Sequence, residues 1–222
     1  VDLLFQFIWR DYCDWGVEAA KISMDQSPEQ RESTCSALLF VFEGLLRLAS
    51  PLTPFVAEEI WHKIPRHPNW SQAEHLATAA FPESKVGDKI PQFPEAATTW
   101  TTMQKLVGGI RSVRTQAQIP TKVSIDVAIE CSESVKKQIQ SSSAWIQGLC
   151  RTADVKIATE NLEKPEQSMV CAGAGWSAYI PVAGYLDIDK EKKRLNAELA
   201  RLNKIILGIN AKLQNERFTA KA

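Results

Sequence analysis

No charge of one sign dominates this chain. Lys plus Arg and Asp plus Glu each total 26 over 222 residues, so no global positive field advertises a nucleic-acid partner and any such contact must be local. No apolar run reaches membrane-spanning length, and residues 1–10 lack a basic start followed by a long apolar core, so neither a membrane partner nor a signal peptide is read there. The five cysteines, Cys13, Cys35, Cys131, Cys150 and Cys171, are odd in number and scattered, with no C-x-x-C pair to chelate zinc. Reduced thiols of this kind suit a cytosolic protein. No G-x-x-x-x-G-K-[ST], G-x-G-x-x-G, H-E-x-x-H or G-x-S-x-G is found, and no catalytic residue is assigned. The three histidines, His62, His67 and His75, lie among prolines with no i, i+4 histidine pair. They read as exposed loop residues, with a metal site as the alternative.

What the chain does have is apolar periodicity. Residues 1–22 place Leu4, Phe5, Ile8, Trp9, Tyr12, Trp15, Ala19 and Ile22 on one helical stripe, which predicts a face turned to a core. Ser27-Pro28-Glu29-Gln30 reads as a capping box opening a helix that Pro51 stops, and Thr53-Pro54 offers a second N-cap and first-turn proline. Prolines punctuate residues 64–94, which predicts a surface excursion. From Pro94 a long helix runs toward Pro120, with Gly108-Gly109 offering a place for a bend. The period then changes to two over Val123–Glu130, a strand with one buried face. Ser132 caps a further helix through Leu149, Asp154–Ala158 reads as a second strand, and Ser168–Ala172 with Trp176–Val182 flank a three-residue hairpin signal at Gly173-Ala174-Gly175.

After the strand-like YIPVAGYLDID comes KEKKRLNAELARLNKIILGINAKL. Ile188, Leu195, Leu199, Leu202, Ile206, Ile209 and Leu213 recur in steps of mostly three and four, the pattern of a coiled-coil seam. A helix from Asp189 to Asn215 would be about 40 Å long, and its seam needs a partner. From Leu186 onward nine Lys or Arg face five Asp or Glu, so this arm is net basic. Both Val1 and Ala222 read as points within a longer polypeptide. The predicted class is mainly α: an antiparallel bundle over residues 1–118, including the 64–94 excursion; a small α+β module over 119–185; and a coiled-coil helix over 186–222.

Seven tryptophans could stack on unpaired bases, but Trp9, Trp15, Trp61 and Trp100 sit on apolar faces, where core packing is expected. Arg10, Asp14, Glu18 and Lys21 form a polar face of the first helix, read either as a salt-bridged solvent face or as a surface contacting bases and phosphates. Arg111 and Arg114, with Lys105 before them, form a second basic set that either contacts phosphates or anchors its helix to the module beyond.

Three segments carry a family likeness: Phe7-Ile-Trp-Arg-Asp-Tyr-Cys-Asp-Trp-Gly-Val-Glu-Ala-Ala-Lys21; Leu45-Leu-Arg-Leu-Ala-Ser-Pro-Leu-Thr-Pro-Phe-Val-Ala-Glu-Glu-Ile-Trp61; and the tail from Tyr179 through the basic heptad helix to Lys221. Together they resemble the C-terminal part of the valyl-tRNA synthetases, a family of class I aminoacyl-tRNA synthetases. Ile110–Pro120 is similar to the family's linker helix, and the tail is the segment that separates it from isoleucyl and leucyl relatives. The sequence departs from the family spelling at Gly16, where Tyr is usual, and at Ser50, where His is usual.

The resemblance implies an anticodon-binding bundle incomplete at its N-terminal side, an α+β appendix and the first half of a tRNA-binding arm. Val17 is the first implied anticodon-contacting residue, followed by Trp15, Arg10, Glu18 and Lys21. Lys190, Lys193, Arg194, Arg201 and Lys204, with Arg111 and Arg114, would touch the tRNA backbone. Family chemistry is ATP- and Mg-dependent charging of valine onto tRNA, with editing of mischarged threonine. Those catalytic and editing domains would lie upstream in the same cytoplasmic polypeptide, so this fragment implies no catalytic residue, metal or cofactor of its own. Two alternatives stand beside this: an isoleucyl or other class I relative, and a coiled-coil assembly module that binds no RNA. Any dimer formed through the exposed seam would be a substitute for a missing half.

Overall fold

The computed structural model describes residues 1–68, 72–82, 93–160, 162–185 and 188–214. A continuous helical path opens the chain, made of α1 (Asp2–Gln6), a π-helical stretch (Phe7–Val17) and α2 (Glu18–Met24). Ser27 caps α3 (Pro28–Ala49), its hydroxyl accepting from the Gln30 amide at 3.2 Å while Pro28 takes the first helical position. Helix α4 (Pro54–Trp61) also opens on proline, but the Thr53 hydroxyl turns back to the Ala49 carbonyl instead of capping. α5 (Pro94–Gln116) follows the excursion.

The apolar stripe of the first helix is covered along only part of its length. Ala19 and Ala20 are buried, and Tyr12 donates to the Leu38 carbonyl at 3.1 Å and stacks on Phe42, fastening the π-helical stretch to α3. Trp9, expected in a core, is instead 63 % exposed and stacks on the 64 % exposed Phe5. Periodicity defines a face; it does not supply the element that covers it.

A small core joins α3 and α4 to the excursion: Leu46, Ala57 and Trp61 close around Leu76, which opens a single 3₁₀ turn (Leu76–Thr78). The excursion is thus pinned at its middle, since the Trp61 indole donates to the Ala73 carbonyl at 3.2 Å and Arg47, paired with buried Glu43 at 2.7 Å, donates to the Ala80 carbonyl.

The larger core is built by the second half of the chain. Strands β1 (Ile125–Cys131), β2 (Thr152–Ala158), β3 (Ser168–Gly173) and β4 (Trp176–Pro181) form one mixed sheet in the order β2-β1-β4-β3. β1 and β2 are parallel, joined through α6 (Glu133–Ser141) and α7 (Ser143–Cys150); the other pairings are antiparallel. The single helix expected after Ser132 breaks in two at buried Ser142, whose hydroxyl turns back to the Gln138 carbonyl at 2.8 Å. In the hairpin Gly173 pairs directly with Trp176, so the loop is the two residues Ala174-Gly175 and not three. The Trp176 ring lies where a Gly173 Cβ would go, only 2.5 Å from it, which makes glycine obligatory there. Met103, Leu106, Val107, Ile110 and Val113 of α5 share this core with Val127, Ile129, Ile146, Ala178 and Ile180; each such aliphatic side chain contributes about 1.5–3 kcal/mol. At the glycine pair Gly109 lets β3 approach, its absent Cβ falling 2.9 Å from Cys171 Sγ. Beyond the sheet, α8 spans Ile188–Leu213. The protein is therefore helical with one small mixed four-stranded sheet.

Two contacts fix the larger core to its surroundings. The Arg114 guanidinium, 7 % exposed, donates to four carbonyls: Cys150 at 3.1 Å and Arg151 at 3.4 Å from one nitrogen, Pro120 at 3.0 Å and Val123 at 2.7 Å from the other. Gly148 of α7 seats Ile22, whose Cδ1 lies 2.5 Å from where a Gly148 Cβ would stand. Arg114→Met should lower the free energy of unfolding by about 3 kcal/mol, read as a shift of the urea midpoint, because the Cys150 and Val123 carbonyls lose their donor while Pro120 and Arg151 keep only the amides of Val123 and Ile125. Gly148→Ala should cost about 1–3 kcal/mol through overpacking against Ile22, whereas Gly108→Ala, where an added Cβ meets nothing within 4 Å, should be neutral or stabilising in the same assay.

Candidate nucleic-acid interface

With Tyr12 turned to α3, the first helix presents Arg10, Glu18 and Lys21 to solvent, all exposed. Glu18 and Lys21 pair at 2.5 Å, a contact between two well-solvated side chains that contributes little to stability and is therefore open to exchange for a ligand contact. Val17 is half-buried. Trp15 points the other way: its ring meets Trp100 edge-on at 6.4 Å, and Trp100 in turn meets Trp145 edge-on at 5.8 Å. The Trp145 indole donates to the Ser23 hydroxyl at 2.9 Å, closing a loop between the first helix, α5 and α7. Trp15 therefore braces the first helix and is itself half-buried.

The basic set at the end of α5 divides. The Arg111 guanidinium carbon lies 5.7 Å from the centre of the Trp15 ring, and its Nε donates to the Leu149 carbonyl at 3.1 Å. It remains exposed. Arg114 is interior, its donors spent on the four carbonyls above, so it does what the anchoring alternative described. Sequence reasoning passed over Arg151. This residue holds a left-handed backbone (φ 52°) at the end of α7 and donates to the Thr121 carbonyl at 3.1 Å. Arg111, Arg114 and Arg151 form the walls of an open groove of about 300 Å³. No local motif marks Arg151; only the packing of α7 on α5 brings it beside Arg111. In the same groove burial pushes the Cys150 thiol up to about 12, so this sulfur is protonated and no nucleophile at neutral pH.

On α8, Lys193, Arg194, Arg201 and Lys204 are exposed, while the Lys190 side chain lies outside the described residues. Arg201 forks onto Glu198 at 2.6 and 2.8 Å, and this bond holds the Glu198 carboxyl below its ordinary value. Leu195, Leu199, Leu202, Ile206 and Ile209, the described part of the seam, are 42–57 % exposed; the side chains of Ile188 and Leu213 lie outside the described residues. The helix thus shows a basic surface and an apolar surface side by side. No helix among the described residues is long and apolar enough to cross a membrane.

The chain matches two known families. Residues 1–129 match the family described as the anticodon-binding domain of tRNA ligases. The chain belongs to this family. Past the anticodon-binding domain, residues 187–222 match a second family, described as the valyl tRNA synthetase tRNA binding arm. Along its whole length the chain is similar to valine–tRNA ligases: 32 % identical over 222 residues to that of Syntrophotalea carbinolica, 31 % over 221 residues to that of Staphylococcus saprophyticus, and 30 % over 223 residues to that of Enterococcus faecalis. Each alignment takes in 99 % of this chain and 24 % of the relative, so the chain spans about a quarter of the length of these relatives.

The thiols of this anticodon-binding domain and its appendix give a direct check on the packing. Cys13 is exposed, whereas Cys131 and Cys150 are buried and Cys171 is pushed up to about 11 by burial. A chromogenic disulfide reagent on the native protein should show a fast phase that Cys13→Ser removes, with Cys150 reacting only in denaturant. A fast phase that survives Cys13→Ser and disappears in Cys150→Ser would mean that the groove beside Arg111 is open to its floor.

Proposed function

We propose that this chain is the C-terminal tRNA-binding region of a valine–tRNA ligase, with the bundle reading the anticodon loop and α8 contacting the tRNA body. The observation that carries the reading is the coincidence of two family matches at opposite ends: an anticodon-binding domain over residues 1–129 and a valyl arm over 187–222, on the basic helix. On this reading valine is activated with ATP and Mg and transferred to tRNA by catalytic and editing domains elsewhere in the same cytoplasmic polypeptide. The fragment itself carries out no chemistry. Its contribution is remote binding energy that orients the acceptor end in a distant active site.

The division into residues 1–118, 119–185 and 186–222 is then one of roles: anticodon reading, appendix, arm. Val17, with Trp15 braced beside it and Arg10, Glu18 and Lys21 on the solvent face, is the anticodon-contacting set. Arg111, with Arg151 across the groove, takes a phosphate, and Arg114 acts beneath them by holding the groove walls. Lys190, Lys193, Arg194, Arg201 and Lys204 take phosphates along α8, giving affinity without sequence information. The exposed seam of α8 is one half of a coiled coil whose second strand comes from the same polypeptide.

The test is a filter-binding salt titration with cognate and non-cognate tRNA. Replacing those five α8 cations by Glu should weaken both tRNAs and reduce the slope of log affinity against log salt by roughly one for each phosphate no longer neutralised. Cognate preference should persist, because it resides in the bundle. An unchanged slope and affinity in this variant would remove the arm from the tRNA interface.

A further inference from the structure

The structure joins His62 and His75 to Glu58, a third member that the sequence gives no reason to add to the histidines. His62 follows one turn after Glu58 at the end of α4, and His75 precedes the 3₁₀ turn of the excursion. Their approach is enforced from below: Leu76 is buried beside Trp61, and both the Trp61 indole and Arg66 donate to the Ala73 carbonyl. One carboxylate oxygen, Glu58 Oε1, lies 2.9 Å from His62 Nε2 and 3.0 Å from His75 Nδ1, while Oε2 accepts from the Ala77 amide at 3.4 Å. The two imidazoles stand nearly perpendicular with ring centres 5.5 Å apart. All three prospective ligand atoms fall within 4.8 Å of one another.

We propose that Glu58, His62 and His75 form a three-ligand site for a divalent transition ion, zinc foremost, that clips the excursion to α4. A tetrahedral zinc with bonds of about 2.0–2.1 Å sets its ligand atoms roughly 3.3 Å apart, so the two Glu58–histidine edges need open by only a few tenths of an ångström, and the two imidazole nitrogens already lie within 4.8 Å of each other. Two imidazoles and a carboxylate are the donor set of a borderline ion; magnesium and calcium prefer oxygen alone. The ligands are partly exposed, so water completes the shell. On binding, each ring shifts its proton from the nitrogen facing Glu58 to the other nitrogen, and the carboxylate exchanges two N–H donors for the ion. Burial pushes the Glu58 carboxyl up, but hydrogen bonds from His75, Ala77, His62 and Leu76 outweigh it and hold the group below its ordinary value, so it meets the ion as a carboxylate. Lys63, next to His62 in sequence, is engaged by Glu59 at 2.6 Å. His67 takes no part in the cluster.

The site stands independently of any tRNA contact and is tested on the 222-residue chain stripped with a chelator, by calorimetry with Zn²⁺ and visible absorption with Co²⁺. The expected result is one ion per chain, with a cobalt spectrum free of thiolate charge transfer. His62→Gln and His75→Gln should each weaken binding by at least about tenfold, while His67→Gln and Cys13→Ser leave it unchanged. Absence of binding, an affinity indifferent to His62→Gln and His75→Gln, or a site abolished by Cys13→Ser would overturn the proposal. Should a substitution unfold the chain, the unsubstituted protein with Co²⁺ decides by NMR: paramagnetic shifts centred on the His62 and His75 rings support the site, and shifts centred elsewhere overturn it.

Discussion

The guanidinium of Arg114 is the point on which the second half of the molecule turns. A helix ending in the interior leaves carbonyls without donors, and here the end of α7 and the loop into β1 bring such carbonyls to one place against the last turn of α5. A fixed planar fork with five donors can meet several of them at once, which an ammonium on a flexible stem does less well. Once this cation is in place the two helix ends and the start of the sheet are in register, and the apolar faces of α5, β1 and β4 close on one another. The same contact sets the walls of the groove that holds Arg111 and Arg151. Stability and the basic surface thus depend on a single buried charge.

A second constraint is aromatic. Trp15, Trp100 and Trp145 meet edge to face in succession, an arrangement favoured by their quadrupoles. They come from the first helix, α5 and α7, so bundle and module share an interior rather than a linker. Assigning these rings to a core by their place on apolar faces is right for Trp61 and describes Trp15 and Trp100 in part, since both remain half-buried. For Trp9 it is wrong, because no side chain on the stripe tells whether another helix lies over it.

The elements legible in the sequence were those with a local physical cause. Ser27 and Pro28 announce α3, Pro94 announces α5, and the period-two run around Val127 and Ile129 announces β1. The break at Ser142, the parallel pairing of β1 with β2 and the tightening of the hairpin to Ala174-Gly175 were not legible, because each depends on packing between distant segments. The same holds at the surface. Arg10, Glu18 and Lys21 could be placed on an exposed face from spacing alone, whereas Arg151 joins Arg111 only through the docking of α7. His62 shows the limit most clearly: its helical partner one turn earlier is a glutamate, and its third companion arrives from beyond two prolines, so a search for histidine pairs passes over it.

The contact of Gly148 with Ile22, reinforced by Trp145 and Ser23, leaves no room between the first helix and α7. α7 closes the crossover from β1 to β2, β1 is hydrogen-bonded to β4, and β4 is the last strand before α8. The first helix is therefore tied through α7 and β1 to β4 by one continuous set of contacts. The face carrying Arg10 and Lys21 and the end of β4 thus belong to one packed body, with no cleft between the first helix and α7 to let them move apart.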